Sequence, residues 1–216
     1  DLENDELEDQ DPVLEEPEAS EIPDAGIGTL FSDDVPNLAS KLLALESMYK
    51  LLTANLGFHD FMREILLTIM KAVKCEAGSI LEINHKEKTI FFRAAVGHSS
   101  DQVIRFVIPL GKGIVGYVAE SKQHLVVSDA EGNEQHLKTI ANAVGFNVRN
   151  IIALPIIIRG RVFAVLELLN RIGEKNFTEP DIELLRSLCE TAARAIEIRL
   201  MIAWSQKPDV TNEDAA

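Results

Sequence analysis

Three glycines fall within six residues in Gly111-Lys112-Gly113-Ile114-Val115-Gly116, where a strand-like run gives way to a helix-like one. Glycines at such a turn let backbone approach a ligand closely. The free amides of the first helical turn, reinforced by the helix dipole, suit an anion such as a phosphate. The same glycines would also serve a plain tight turn beneath a pocket. Arg93 and Arg105 lie in strand-like runs, where one could face inward and pair a phosphate or both could face water. His136 has no second nitrogen or thiolate in view, so no metal site is expected. Cys75 and Cys189 are too few and too isolated for a disulfide framework, a zinc cluster or a redox pair. No nucleophile elbow, phosphate-binding loop or dinucleotide fingerprint occurs. The residues point to binding rather than catalysis, with no cofactor expected.

The net charge of −14 belongs to the ends of the chain. Residues 1–40 hold 14 acidic side chains and no Lys or Arg, whereas residues 41–204 hold 20 basic and 18 acidic ones. A balanced core with an acidic arm repels nucleic acid at long range, and no basic patch argues for it. No apolar run approaches the roughly 18 residues of a membrane span, and no signal sequence opens the chain, so a cytoplasmic setting is expected. Residues 1–36 combine charge with four prolines and are expected to be disordered. Residues 205–216 read as a polar tail.

Between these ends the period of the apolar residues sets the elements. Asn37 reads as a helix N-cap, after which Leu38, Leu42, Leu45, Tyr49, Leu52 and Leu56 recur at alternating spacings of four and three. A second helix is expected over about 60–74. Strands follow over 79–84, 89–96 and 103–108, then a helix over 113–121, a strand over 125–128 and a helix over 134–144. The apolar runs 151–158 and 162–170 form a hairpin through Arg159-Gly160-Arg161, and a long helix runs over 179–204 behind Thr178 and Pro180. Hairpins between neighbours make the sheet antiparallel, so the expectation is an α+β fold with helices mainly on one face.

Four segments on this framework resemble the GAF family: the run 109–119 around the glycines, Val127-Ser128-Asp129-Ala130, Arg149–Ile156 and Val165–Arg171. The resemblance implies a GAF domain over 37–204, with a six-stranded antiparallel sheet and long terminal helices. Asn170-Arg171, Phe177 and Asp181 further resemble the Asn-Lys…Phe…Asp-Glu motif of the cyclic-nucleotide GAF domains of phosphodiesterases and bacterial adenylyl cyclases. Arg171 replaces the lysine and Ile182 the glutamate, and in that family the motif braces the domain. By the same resemblance the ligand would lie among Ser79, Arg105, Phe106, Gly113, Ile114, Val115, Asp129, Leu137, Ala141, Val144, Val148 and Glu167. Ser79 would contact a base edge and Glu167 an exocyclic amine. The lid residues Leu137, Ala141, Val144 and Val148 are all apolar where relatives carry tyrosine and threonine, so either the ligand differs or apolar and backbone contacts hold the base.

The expectation is a regulatory domain that binds a cyclic nucleotide, cyclic AMP foremost. It would act as a parallel homodimer through its terminal helices and drive an output domain. A ligand-free dimerisation and relay module, or a haem or gas sensor, are the alternatives. The last helix carries two apolar stripes, Ile182/Leu185/Cys189/Ala192/Ile196 and Leu184/Leu188/Thr191/Ala195/Ile198/Ile202. One would cover the sheet and the other a partner helix, unless both bury within one protomer.

Overall fold

A computed structural model describes residues 35–98, 100–130 and 145–205. The acidic arm up to Asp34, the expected lid helix over 134–144 and the tail from Gln206 lie outside the described residues. Eleven elements follow in order: α1 (Val35–Thr53), α2 (Phe58–Val73), β1 (Cys75–Asn84), β2 (Thr89–Val96), α3 (Ser100–Val103), β3 (Val107–Pro109), α4 (Gly113–Ser121), β4 (Leu125–Val127), β5 (Ile151–Ile158), β6 (Arg161–Arg171) and α5 (Glu179–Ser205). The six strands form one sheet in the order β3-β2-β1-β6-β5-β4, antiparallel throughout. This is the α+β arrangement that hairpin spacing implies.

Alternation along the strands divides the interior in two. On β6, Ala164, Leu166 and Leu168 face α1, α2 and α5, while Val165 and Leu169 face α4. The helical layer closes over its side of the sheet with Phe61, Met62, Ile65, Leu66 and Ile69 of α2 and Leu185, Leu188, Ala192 and Ile196 of α5, each 0% exposed. Arg199 of α5 lies 5.2 Å over the Phe61 ring and donates to the carbonyls of Ala54 and Leu56, fixing the α1–α2 junction. The opposite layer is built by α4 with Leu81, Ile83, Ile90, Ile108, Val127 and Ile151.

Two sequence expectations change, the cap of α1 and the free stripe of α5. Helix α1 starts at Val35 rather than being capped by Asn37, with Pro36 in the first turn, where its missing N–H forfeits no helical bond. The stripe of Leu38, Leu42 and Tyr49 points outward, at 52%, 58% and 70% exposure, on the face the sequence leaves to the surface, while Ala44 and Met48 are the residues that bury. On α5 both apolar stripes bury within the one protomer as far as Ile196, because Leu184/Leu185, Leu188/Cys189, Ala192/Ala193 and Ala195/Ile196 together form a broad inward face. Only the last turns, with Ile198, Met201, Ile202 and Trp204, leave apolar side chains exposed.

Candidate functional site

Between the sheet and α4 a cleft of about 760 Å³, its open mouth included, sits in the less filled layer. Its floor comes from β1, β2 and β6 through Ala77, Ser79, Leu81, Phe92, Ala95, Val96, Glu167 and Leu169. One wall is Ile114 and Val115 of α4 with Ile108 of β3; the others are Val103, His98 and Ser100, and the return segment with Phe146 and Val148. The lining is mostly apolar, with few polar groups among the described residues.

Two of those polar groups stand side by side. Ser79 on β1 is directly opposite Glu167 on β6, and Ala153 of β5 flanks Glu167 on its other side. Ser79 is 5% exposed, and its hydroxyl bonds the Glu167 carboxyl. Burial pushes that carboxyl up to about 7, against the downward pull of the Ser79 bond. A glutamate in the apolar floor of a cleft, partnered by a neutral hydroxyl, is poised between its neutral and charged forms at physiological pH.

The glycine turn separates into distinct roles. Gly111 has φ of 81° and Gly113 of 72°, so both occupy backbone space that side chains avoid. A Cβ on Gly116 would lie 2.5 Å from the carbonyl carbon of Gly111, so that glycine exists to let the turn fold under the helix. Helix α4 closes its first bond from the Gly116 N–H to the Lys112 carbonyl at 3.1 Å. The amides of Gly113, Ile114 and Val115 therefore precede the helical ladder, and the last two belong to residues that line the cleft. Lys112 is exposed at the N-cap and makes no capping bond with its side chain.

Of the expected ligand residues, the structure brings Ser79, Ile114, Val115, Val148 and Glu167 together in the cleft, with Gly113 at the start of its wall helix. Leu137, Ala141, Val144 and His136 lie outside the described residues. Arg105, Phe106 and Asp129 do not line the cleft. The run 103–108 is not one strand: Ser100–Val103 is a helical turn and the strand starts only at Val107, which leaves Arg105 exposed in the bend between them. Asp129 is exposed just beyond β4. Arg93 also faces away, bonded to Glu82 at 2.7 Å and stacked between the rings of Phe58 and Phe91 on the helical side. Sequence reasoning missed Phe92, His98, Val103, Phe146 and Leu169, whose apolar or turn-like settings carry no signal that they face a void rather than a core.

The bracing motif is fully engaged. Arg171 clamps both oxygens of Asp181, at 3.0 and 3.2 Å, and reaches the carbonyls of Lys74 and Ile172. Asp181 also accepts from the Thr178 amide and hydroxyl, which makes it the third-residue half of a capping box at the start of α5. Asn170, fully buried at φ of 60°, donates to Glu76 and the Asn147 carbonyl and accepts from the Arg149 amide. The guanidinium of Arg149 and the amide of Asn170 hold the Glu76 carboxyl below its usual range. Phe177 is buried beneath this corner. Ile182, standing in the motif's last position, packs into the core with 6% exposure.

The family model for the GAF domain matches residues 55–197, about two thirds of the chain. The chain belongs to the GAF family. Its GAF region is similar to that of the mouse cone cGMP-specific 3',5'-cyclic phosphodiesterase subunit alpha', 33% identical over 93 residues, which are 43% of this chain and 11% of that protein. The mouse rod cGMP-specific 3',5'-cyclic phosphodiesterase subunit alpha is 37% identical over 79 residues, 37% of this chain and 9% of that protein. The chain thus spans about a tenth of the length of these relatives. Among solved structures, the GAF domain of a Coxiella burnetii phosphoenolpyruvate-protein phosphotransferase superposes with a TM-score of 0.66 at 19% identity, covering 77% of this chain and 99% of that one. A free methionine-R-sulfoxide reductase from Neisseria meningitidis, in complex with its substrate, gives 0.64 at 16% identity, covering 80% and 96%. These likenesses show the fold. The two cysteines of this GAF domain are both buried, with thiols pushed up to about 12 by burial, and neither lines the cleft. No helix among the described residues is long and apolar enough to cross a membrane.

Proposed function

We propose that this GAF domain is a regulatory module whose cleft takes a purine cyclic nucleotide, with its phosphate at the start of α4 and its base at the Ser79–Glu167 edge. The observation that carries the reading is the placement of both features in one apolar cleft: amides ahead of a helical ladder on the wall, and a serine–glutamate pair on the floor. A helix start contributes on the order of 0.3–2 kcal/mol to a bound anion. Apolar walls suit the faces of a base, and the floor pair suits its polar edge. The names of the relatives support the ligand class, since those phosphodiesterases act on cGMP; cyclic AMP and cyclic GMP are both candidates. Calorimetric titration of the chain with each nucleotide tests the reading, and heat from either one supports it. Absence of binding by both at millimolar concentration would leave a ligand-free relay module.

The output side of the proposal is a homodimer through the terminal helices. Leu38, Leu42, Leu43 and Tyr49 on α1 and Met201 and Trp204 on α5 are more than half exposed, an unusual concentration of apolar surface for two helix ends. Burying both stripes of α5 inside the protomer makes α1 the main contact, rather than α5 as its periodicity suggests. A sedimentation mass of one chain at tens of micromolar would defeat this arrangement while leaving the ligand reading intact.

A further inference from the structure

The floor pair bears on which base the cleft accepts, an inference that rests on the nucleotide reading above. Glu167 stands between Ser79 and Ala153 on the neighbouring strands. The elements packed around it present Ala77, Phe92, Ile114, Val115 and Val148. Among the described residues lining the cleft, His98 is the one other titratable side chain, and it is exposed. Arg93, whose strand also contributes to the floor, is committed to Glu82 on the far side of the sheet. No cation among the described lining residues therefore fixes the carboxyl in its charged form.

We propose that Glu167 selects the base, accepting from the adjacent N–H groups of a guanine when ionised and engaging the donor–acceptor edge of an adenine when neutral. The complementarity is geometric. Guanine presents two neighbouring donors, N1–H and the exocyclic amine, which match the two oxygens of a carboxylate. Adenine presents an exocyclic donor beside the bare N1 acceptor, which matches a carbonyl oxygen beside a hydroxyl. In both cases the Ser79 hydroxyl satisfies one remaining lone pair and leaves two positions facing the base. The wrong pairing sets a lone pair against a lone pair, or a hydroxyl against an N–H, and leaves a buried polar group unsatisfied. With the carboxyl raised to about 7 by burial, both forms are populated near neutrality. Guanine recognition then strengthens as pH rises and adenine recognition as it falls. Binding follows the same balance: guanine expels the proton from the neutral fraction to the buffer, and adenine takes one up.

Calorimetric titrations of the chain with cyclic AMP and cyclic GMP across about pH 5.5 to about 8.5, where the carboxyl passes from almost wholly neutral to almost wholly ionised, test this. The ratio of the cyclic AMP to the cyclic GMP dissociation constant should rise by at least about tenfold. Repeating the titrations near pH 7 in two buffers of different ionisation enthalpy should show proton release with cyclic GMP and uptake with cyclic AMP. Glu167→Gln carries a fixed donor beside a fixed acceptor and should prefer cyclic AMP at every pH, with a flat ratio. His98→Asn should keep the pH-dependent ratio. A flat ratio in the native chain, or a pH-dependent one in Glu167→Gln, overturns the proposal and leaves the nucleotide site standing. Loss of the dependence in His98→Asn does the same. Failure of both nucleotides to bind at every pH overturns the nucleotide reading, and this inference with it.

Discussion

The two faces of one sheet are put to opposite uses. On the helical face, alternate residues of β1, β5 and β6 meet α2 and α5 in a core whose large side chains, from Phe61 through Leu166 to Leu188, are wholly buried. On the other face the intervening residues of the same strands meet, among the described residues, the nine-residue α4 and the return segment, and a cleft remains. Strand periodicity is the same for both faces, so the difference comes from what covers them. Long helices bring continuous apolar stripes, while short elements joined by turns leave room for a ligand. Stability and the proposed binding thereby fall to alternating residues of the same strands, one position apart.

That division can be broken, or sharpened, by substitution. The largest effect is expected on the filled face, where Leu185→Ala should cost about 2–5 kcal/mol, read as a lower denaturant midpoint, with ligand affinity unchanged at temperatures where the variant stays folded. A binding defect without lost stability would mean that the faces are not separate. On the cleft side Gly113→Val should abolish nucleotide binding. It places a β-branched residue at φ of 72°, a strain on the order of 1–3 kcal/mol, while circular dichroism stays near that of the native chain. Undiminished binding would move the phosphate away from α4. Thr178→Ala removes the hydroxyl's bond to Asp181 at the start of α5 and should cost about 1 kcal/mol; a melting temperature that does not move would show that the Arg171–Asp181 clamp and the Thr178 amide suffice to set that helix start.

A further effect concerns Glu167 and depends on pH. Its carboxyl is raised in the folded chain, from 4.5 to about 7, so the folded state binds the proton more tightly. The stability this confers is complete below about pH 4.5, declines as pH rises and is gone above about pH 7. Glu167→Gln lacks the titration, so the native chain should lose melting temperature relative to it across that window. Parallel melting curves at about pH 4 and about pH 8 would contradict the burial of the carboxyl.

How much the sequence discloses follows the same division. Helix α4 and strands β2 and β5 lie where glycine placement and apolar runs put them, because a glycine forced to positive φ or an uninterrupted Ile-Ile-Ala-Leu is a local cause with a local effect. Strand β3 misleads: Val103, Arg105 and Val107 alternate like a strand, yet the chain coils through Ser100–Val103 before it straightens. Tertiary packing, not alternation, decides there. Within the site, Ser79 and Glu167 are legible as polar residues interrupting apolar strands. Phe92, Phe146 and Leu169 are not, since an apolar residue reads the same whether it meets another side chain or an empty cleft. The heptad stripe on α1 is legible as a stripe left to the surface, but Ala44 and Met48, the residues that seat the helix on the core, are not, since small or isolated apolar residues carry no periodic signal.

The corner around Asn170 has a consequence for how such a domain can change over time. The amide of Ala130 bonds the Arg149 carbonyl at 3.0 Å, while Asn170 grips the Asn147 carbonyl and the Arg149 amide. Chain leaving the sheet after β4 and chain returning to β5 are therefore clasped together, which closes the connection between them into a ring at its base. Lengthening a ring already closed at its base costs little, about 0.6 kcal/mol for each doubling, and the clasp keeps that cost from reaching the core. A change in the length of this connection is thus absorbed at the clasp, while the sheet beneath keeps its register.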